Sequence, residues 1–248
     1  RNTVGPYVES LTKKGLVDRA ISRDLDWGTD VPLSDADGKK LYAIVNNAGV
    51  MLSESQLEEV LQVNVHGIYQ VSTKFLPLLD QEKGRVVNIT SASGPSFVST
   101  CSTKYKDFLT SSDISWDALK AFMDECVHLR KNGGDFGRKG LGDAPSYGLS
   151  KAIANTLTLN LAKTYPNLKI NSCTPGFIKT DMTKPMAEAW GKTPEQAGMK
   201  EPSFGTVAPL FLLFVDSVGS GDYYGSDALR SPIDRYRSPG TAAFNGKY

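Results

Sequence analysis

The stretch Tyr147-Gly-Leu-Ser-Lys151 decides how the chain is interpreted. A tyrosine four residues before a lysine lies about one turn away on the same face of a helix. The apolar residues that follow recur at helical spacing and predict such a helix; they are Leu149, Ile153, Leu157 and Leu161. A nearby ammonium stabilises a phenolate and lowers the pKa of the phenol. Such a tyrosine can exchange a proton with a substrate oxygen near neutral pH.

A second copy of the Tyr-x-x-x-Lys pattern occurs at Tyr165-Pro-Asn-Leu-Lys169. Pro166 disfavours helical geometry at Tyr165 and interrupts the helical pattern. Taken alone, a tyrosine and a lysine at this spacing describe an ordinary surface pair at least as well as a catalytic one. The role of Tyr147 and Lys151 is therefore decided by what the rest of the chain brings near them.

The composition is that of an ordinary globular protein. The 248 residues carry a net charge of +1, with 40% hydrophobic and 22% charged residues, which suits one large α/β domain or two small ones. There is no basic excess and no apolar run of about 18 residues, so we expect neither a nucleic-acid partner nor a membrane span. Three scattered cysteines and two histidines predict no metal site and no disulfide framework. The cysteine usage suits a reducing, cytoplasmic compartment.

Predicted strands and helices alternate along the chain. The apolar run 41–45 is typical of a strand that is buried on both faces. The predicted strands are 19–25, 41–45, 85–90, 168–173 and 223–224, and the predicted helices are 6–15, 55–76, 115–131, the helix that begins near Tyr147, and 202–215. This alternation predicts a mainly parallel, doubly wound sheet in a single domain.

Polar motifs stand at the carboxyl ends of three predicted strands. They are Asn46-Asn-Ala-Gly49, Ser91-Ala-Ser-Gly94 and Pro175-Gly176. Ligands bind beyond the carboxyl ends of the strands in such sheets, and we expect Tyr147 to open a helix at the same rim. Taken singly, Ser91 and Asn47 are explained equally well as turn residues. Their convergence is the stronger indication of a site.

Asn64 stands on the apolar stripe of the predicted helix 55–76. A buried amide without hydrogen-bond partners costs about 1–3 kcal/mol. From the residues alone, Asn64 is either part of a polar network or a satisfied core residue. Two further regions stand apart: the excursion 95–146, which carries the helix 115–131, and the tail 231–248, whose proline, glycine and charge predict irregular structure.

The motifs, in this order, resemble those of the short-chain dehydrogenase/reductase family. The matching pieces are 46–49, Asn64, 88–94, 147–151 and 175–180. The resemblance implies a Rossmann-like fold in which 1–248 is a single domain and 95–146 is an insertion between the catalytic serine and tyrosine. The long insertion makes the chain similar to the carbonyl reductase branch, whose members usually use NADPH and are often monomeric.

The resemblance also implies a role for each site residue. Tyr147 would donate a proton to a carbonyl oxygen, and Lys151 would lower the pKa of Tyr147 and hold the nicotinamide ribose hydroxyls. Ser91 would hydrogen-bond the same carbonyl oxygen, and Asn64 would hold a water that links Lys151 to solvent. The implied cofactor is NADP(H), with contacts from Arg1, Asp26, Asn47, Tyr147, Lys151, Ile178 and Thr180.

The family's first strand, glycine-rich phosphate turn and first helix have no counterpart in the sequence. Motif spacing puts Arg1 where NADP-preferring members often have an arginine for the ribose phosphate. Without the first strands, the segment 41–45 keeps an exposed edge, and the helix N-terminus that receives the pyrophosphate is missing. We therefore expect an N-terminally incomplete record of the native protein. The alternative is that another polypeptide supplies the missing strands.

Two functions of different classes stay open on the sequence alone. The first is the NADPH-dependent reduction of a small aldehyde, ketone or quinone by a monomeric enzyme. The second is a weakly catalytic or non-catalytic subunit of a larger assembly that keeps the fold for structural reasons. Oxidation of an alcohol with NAD would use the same residues in reverse. In the enzyme, we expect residues 95–146 and 182–204 to line the substrate pocket.

Overall fold

The computed structural model describes residues 41–246. These residues belong to a compact unit that spans Ala36–Tyr248. The predicted helix 6–15, the predicted strand 19–25 and the predicted cofactor contacts Arg1 and Asp26 lie outside the described residues. The single domain expected over 1–248 therefore stays a prediction.

Helices and strands alternate through the described residues. The strands are β1 (Ala43–Asn46), β2 (Arg85–Ile89), β3 (Lys169–Cys173), β4 (Tyr223–Tyr224) and β5 (Arg230–Ser231). The α-helices are α1 (Leu57–Leu61), α2 (Gly67–Phe75), α3 (Ser93–Thr100), α4 (Thr103–Thr110), α5 (Trp116–Lys131), α6 (Phe136–Lys139), α7 (Ser146–Thr164), α8 (Lys184–Ala189) and α9 (Val207–Phe214). Tighter 3-10 turns cover Glu54–Gln56, Leu76–Leu78 and Pro202–Thr206.

The strands form one sheet in the order β1-β2-β3-β4-β5. The first three pairs are parallel, and β4 pairs with β5 in the antiparallel sense. Parallel strands need a crossover between them, and the intervening helices supply it. The predicted mainly parallel, doubly wound α/β fold is confirmed. The strand β5 was not predicted, and its second residue, Ser231, is the first residue of the expected irregular tail.

Both faces of the sheet are covered by helices. On one face, α7 is buried along almost its whole length and joins a core that includes Val86 and Ile170. On the other face, α9 packs through Ala208 and Leu212 against Val87, Ile89 and Cys173. The strand β2, which lies between these two layers, is buried at every position. Such burial on both faces is typical of the central strands of parallel sheets.

The prediction that 41–45 is buried on both faces is wrong for one face. Ile44 and Asn46 are buried, but Ala43 and Val45 are exposed, Val45 by 44%. Val45 lies beside Val87 in the register of β1 and β2, and α9 covers Val87 without covering Val45. Among the described residues, β1 is an edge strand, which is the exposed edge that the sequence led us to expect.

The segment 95–146 supplies much of the helical layer around α7. The helices α4, α5 and α6 lie within it, together with most of α3. The helix α5 begins after Ser115, whose Oγ accepts a hydrogen bond from the Ala118 amide at 3.2 Å. Trp116 then stacks on Tyr69 with the ring centroids 3.7 Å apart. This segment buries residues of its own in the core that surrounds α7.

No helix within residues 41–246 is long and apolar enough to cross a membrane. The same residues hold no group of three His, Cys, Asp or Glu side chains placed to bind a metal ion. Cys101, Cys126 and Cys173 are buried free thiols.

Arg85 at the start of β2 ties the sheet to the end of α9. Its guanidinium donates to the carbonyls of Leu212 at 2.9 Å and Val215 at 2.8 Å, and pairs with Asp216 at 2.9 Å. These carbonyls belong to the last turn of α9 and to the residue after it, and a helix cannot satisfy its last carbonyls internally. A cation in this position also complements the helix dipole.

We predict that Arg85→Lys lowers the free energy of unfolding by about 1–3 kcal/mol, because an ammonium cannot replace the forked donors. Urea denaturation followed by circular dichroism measures this change. The matched control is Arg138→Lys, where the side chain is 90% exposed and pairs with nearby Asp135. Equal unfolding midpoints for the two variants would show that the Arg85 contacts do not stabilise the sheet.

Candidate active site

The helix α7 carries the Tyr147 and Lys151 pair to the carboxyl end of the sheet. Its first residue is fixed by Glu54, whose Oε2 accepts from the Ser146 amide at 2.7 Å and from the Ser146 hydroxyl at 2.8 Å. A carboxylate at a helix N-terminus is favourable because it meets free amides and the positive end of the dipole. Tyr147 is half-buried one residue later, and Lys151 is buried one turn further on.

Two glycines allow α3 and α7 to approach each other closely. A Cβ atom on Gly94 would lie 3.0 Å from the backbone nitrogen of Ala152 and 3.1 Å from the carbonyl oxygen of Lys151. A Cβ atom on Gly148 would lie 3.1 Å from the carbonyl oxygen of Ser93. The start of α3 is therefore in contact with the start of α7, which brings Ser91 to Tyr147.

The Ser91 side chain lies close enough to the Tyr147 phenol to affect its pKa. Burial raises the pKa of the Tyr147 phenol, and a hydrogen bond with the Ser91 side chain opposes that rise in part. Ser91 is itself oriented by Ser93, whose amide donates to the Ser91 hydroxyl at 3.2 Å. Lys151 is not among the groups that shift this pKa, so its expected lowering of the Tyr147 pKa stays a prediction. Burial has the larger effect, and the phenol stays protonated at neutral pH.

The Lys151 ammonium lies beneath the rim and is 3% exposed. Its Nζ donates to the carbonyl of Ile89 at the end of β2, at 3.1 Å, and lies 5.5 Å from the centroid of the Tyr147 ring. Burial lowers the pKa of Lys151 to about 8, because the charged form loses its hydration. The pair predicted from the sequence is thus brought together, with the ammonium over the face of the phenol ring.

Asn64 lies in a π-helical turn, Gln62–His66, that interrupts the long helix predicted over 55–76. Single π turns inside α-helices are frequent at functional sites. The Asn64 side chain accepts from the Val50 amide at 2.8 Å and donates to the Val50 carbonyl and to the Ser150 hydroxyl, both at 2.9 Å. Asn64 is therefore part of a polar network that joins the loop after β1 to α7. Its role in holding a water stays a prediction.

The predicted cofactor contacts are more dispersed. Asn47 and Thr180 are exposed, whereas Ile178 is buried and forms an isolated bridge with Lys200. The Thr180 amide donates to the Thr183 hydroxyl at 3.0 Å, which shapes the loop after Gly176. These residues follow strands at the same rim as Ser91, but their contact with a cofactor stays a prediction.

The neighbour of Asn47 has a structural role that the sequence did not reveal. Asn46 Nδ2 donates to Asn88 Oδ1 at 2.8 Å, and Asn88 Nδ2 donates to the Thr158 hydroxyl at 2.8 Å. This buried chain connects the carboxyl ends of β1 and β2 to α7. In the sequence, the polar residues Asn46 and Asn88 near the ends of their strands were the only indication of this chain of hydrogen bonds.

A cavity of about 320 Å³ opens beside Ser91. Its walls include Phe177 and Lys200 from the chain after β3 and Tyr236 and Arg237 from beyond β5. We expected the segments 95–146 and 182–204 to line the pocket. They form part of the wall, through residues such as Lys200. The contribution of the tail was missed, because its sequence has no helical or alternating pattern.

The residues around Lys151 fit a nicotinamide nucleotide. An ammonium has three donors, and the Ile89 carbonyl uses one of them, which leaves donors for ribose hydroxyls. Gly49 keeps the neighbouring space open: a Cβ atom there would lie 3.2 Å from Lys151 Nζ and 3.3 Å from Asn64 Oδ1. A larger residue at position 49 would fill this space.

Two family models match the chain. The model described as short chain dehydrogenase matches residues 34–105. The model described as tRNA synthetases class I (M) matches residues 1–52. The first range contains β1, β2 and Ser91. Arg1 and Asp26 lie in the second range.

Several sequence relatives are carbonyl reductases. Carbonyl reductase (NADPH) 3 of Rattus norvegicus is 30% identical over 202 residues, which cover 71% of this chain and 69% of the relative. The chain belongs to the short-chain dehydrogenase/reductase family. Carbonyl reductase (NADPH) 1 of Sus scrofa is 28% identical over 196 residues, which cover 74% of this chain and 63% of the relative. The chain therefore spans less than two thirds of the length of the pig protein.

Solved structures of short-chain dehydrogenase/reductases share the fold. Salutaridine reductase from Papaver somniferum has a TM-score of 0.61 at 21% identity, over 75% of this chain and 72% of that chain. Menthone neomenthol reductase from Mentha piperita has a TM-score of 0.59 at 19% identity, over 75% and 70%. The family consists of oxidoreductases that bind nicotinamide cofactors.

We predict that Gly94→Ala destabilises the protein by about 1–3 kcal/mol, because a methyl group would force two helix backbones apart. The matched control is Gly67→Ala, another helical glycine, where the nearest atom to an added Cβ atom is 3.8 Å away. That change should be neutral or stabilising, since alanine favours a helix. Thermal or urea unfolding measures both. Equal effects at the two positions would contradict the close approach of α3 and α7.

We also predict a pH dependence that belongs to Lys151. Its pKa falls from 10.5 in the unfolded chain to about 8 in the folded protein, so the unfolded state binds more protons between these values. Stability should therefore rise as the pH rises from about 8 to 10.5, by up to roughly 3 kcal/mol.

The measurement is the difference in unfolding free energy between the cofactor-free wild type and Lys151→Met across this pH window. Because other groups titrate in both proteins, the difference isolates Lys151. A difference that does not change with pH would mean that the ammonium is not buried.

Proposed function

We propose that the chain is an NADPH-dependent carbonyl reductase that converts an aldehyde, ketone or quinone into the alcohol. The observation that carries this proposal is the meeting of Ser91, Tyr147 and Lys151 at the rim of the sheet, beside a cavity. Relatives named carbonyl reductase (NADPH) support the choice of reaction and of NADPH. The proposed catalytic set is Asn64, Ser91, Tyr147 and Lys151.

In this proposal, Tyr147 is the proton donor. The raised pKa of its phenol keeps the proton available at neutral pH. A carbonyl oxygen placed between Tyr147 and Ser91 accepts a hydrogen bond from each hydroxyl, and these bonds strengthen as negative charge develops on the oxygen. A reduced nicotinamide, when bound, supplies a hydride to the carbonyl carbon. The proton of Tyr147 Oη passes to the carbonyl oxygen and completes the alcohol.

Lys151 has two roles in this proposal. Its ammonium donates to the nicotinamide ribose hydroxyls, which fixes the cofactor relative to Tyr147. Its positive charge stabilises the phenolate that remains after proton transfer, and the interaction is strong because the site is shielded from water. Asn64 holds a water that links Lys151 to solvent in this proposal, and its own side chain is fixed by Val50 and Ser150. We assign Arg1, Asp26, Asn47, Ile178 and Thr180 to cofactor binding as part of the same proposal.

The proposed enzyme works on its small-molecule substrate as a monomer. Burial of α7 within the helical layer of 95–146 supports this, because the helix offers little surface for a second copy. An assembly remains the alternative. A non-catalytic subunit of an assembly would show no turnover, whereas the proposed enzyme would.

We predict that Tyr147→Phe lowers kcat/KM for NADPH-dependent reduction of menadione by roughly 100- to 10,000-fold, because it removes the proton donor and leaves the ring. The measurement is NADPH oxidation by the full-length protein. The matched control is Tyr165→Phe, which alters the second Tyr-x-x-x-Lys copy at the end of α7. Its Lys169 lies on β3 and bonds the Asp216 carbonyl, so we expect wild-type activity.

Wild-type turnover by Tyr147→Phe would reject the assigned proton donor. Wild-type protein that binds NADPH and reduces none of a panel of aldehydes, ketones and quinones would reject the reductase and favour the non-catalytic subunit.

A further inference from the structure

The residues after β5 form an ordered segment that we call the C-terminal strap, residues 232–246. It contains no helix or strand, yet charged side chains fix it to the sheet at two points. Irregular backbone is held in one conformation only when such contacts specify it. The strap therefore has a defined conformation and can form one wall of a cavity.

The first attachment is the ion pair of Arg237 and Asp227, whose side chains are 7% and 20% exposed. Arg237 Nε also donates to the Ser231 hydroxyl at 2.7 Å, and its Nη1 donates to the Thr241 carbonyl at 2.8 Å. Asp227 in turn accepts from the Gly240 amide at 2.8 Å. A largely buried ion pair is stable when further hydrogen bonds satisfy both partners, as they do here.

The second attachment is Arg230 of β5. Its guanidinium donates to the carbonyls of Phe244 at 3.1 Å and Gly246 at 2.6 Å, and lies 5.2 Å from the centroid of the Phe244 ring. Asp222 pairs with the same guanidinium. The strap is thereby held on both sides of the turn that carries Gly240.

Tyr236 is the aromatic side chain that this arrangement presents to the site. It precedes Arg237 and is 54% exposed. It lines the cavity beside Ser91 together with Phe177, and it also lines a neighbouring cavity of about 540 Å³ that contains Phe97. An aromatic ring held at the mouth of a cavity by a fixed backbone offers a flat apolar surface at low entropic cost.

We propose that Tyr236 is a specificity-determining residue that receives the aromatic ring of a carbonyl substrate, and that Arg237 is the residue that positions it. This inference rests on the proposed carbonyl reductase function and names the substrate class of the same site. Phe177 supplies a second aromatic surface in the same cavity, and Ser91 marks the end where the carbonyl group reacts. Aromatic carbonyl compounds are therefore preferred over aliphatic ones of similar length.

The test compares 2-naphthaldehyde with hexanal in NADPH-dependent reduction by the full-length protein. We expect Tyr236→Ala to raise KM for 2-naphthaldehyde roughly tenfold, the effect of losing one aromatic pair together with its buried area, with kcat unchanged. KM for hexanal should stay within about twofold. Tyr236→Phe, which keeps the ring, should resemble the wild type.

The matched control is Tyr42→Ala. Tyr42 is 53% exposed and precedes β1, at the opposite end of the sheet from the rim. Its loss should change neither KM. Arg237→Lys should raise KM for 2-naphthaldehyde without lowering kcat, because the strap would lose its forked contacts while Ser91 and Tyr147 stay in place. Equal changes in KM for both aldehydes in Tyr236→Ala would overturn the inference.

A second measurement separates this inference from the proposed function. Binding of 2-naphthalenemethanol, the alcohol product, is followed by its fluorescence in the presence of NADP⁺ and needs no turnover. If the wild type turns over neither aldehyde, the reductase proposal fails, and weaker binding of this alcohol by Tyr236→Ala still supports the role of Tyr236. Absent binding by the wild type, or equal binding by the two proteins, overturns it.

Discussion

The burial of one ammonium group, that of Lys151, is the constraint on which the site depends. A charged amine away from water is costly unless polar groups surround it, and the Ile89 carbonyl at the end of β2 provides one such group. The helix that carries Lys151 is buried on nearly all sides and cannot move without disrupting the core. Once this ammonium is fixed, Tyr147 lies one turn earlier on α7, and Ser91 lies two residues beyond Ile89. The three groups lie together because the carboxyl end of β2 contacts the first turns of α7.

Residues that need never contact the substrate hold this meeting point in place. Asn46, Asn88 and Thr158 form a buried chain of hydrogen bonds from β1 through β2 to α7. Asn64 connects the loop after β1 to Ser150 on the same helix. Satisfied buried networks are rigid, since a shift of any member leaves a polar group without a partner. The rim is thus set by polar contacts beneath it, while apolar packing on the two faces of the sheet sets the fold.

The sequence predicted the features that follow from local pattern. Alternating apolar segments gave the parallel sheet and most helix positions, because periodicity reports directly which face is buried. The order of polar motifs after the strands brought Ser91, Tyr147 and Lys151 to one rim. Burial of Val45 was mispredicted, since an apolar strand does not reveal whether a distant helix reaches over it. The strap was missed for a related reason. Arg237 pairs with Asp227, ten residues earlier in the chain, and no repeating sequence pattern predicts such an ion pair.

The site therefore combines two kinds of order. Ser91, Tyr147 and Lys151 depend on the core, where a change of one methyl group at Gly94 or Gly148 reaches the backbone of a neighbouring helix. The wall formed by the strap depends on the ion pairs and hydrogen bonds of Arg230 and Arg237. Tyr236 and Arg237 line the cavity, so substitutions in the strap can reshape it. In the function that we propose, the chemistry depends on buried packing and the substrate choice depends on ion pairs near the surface.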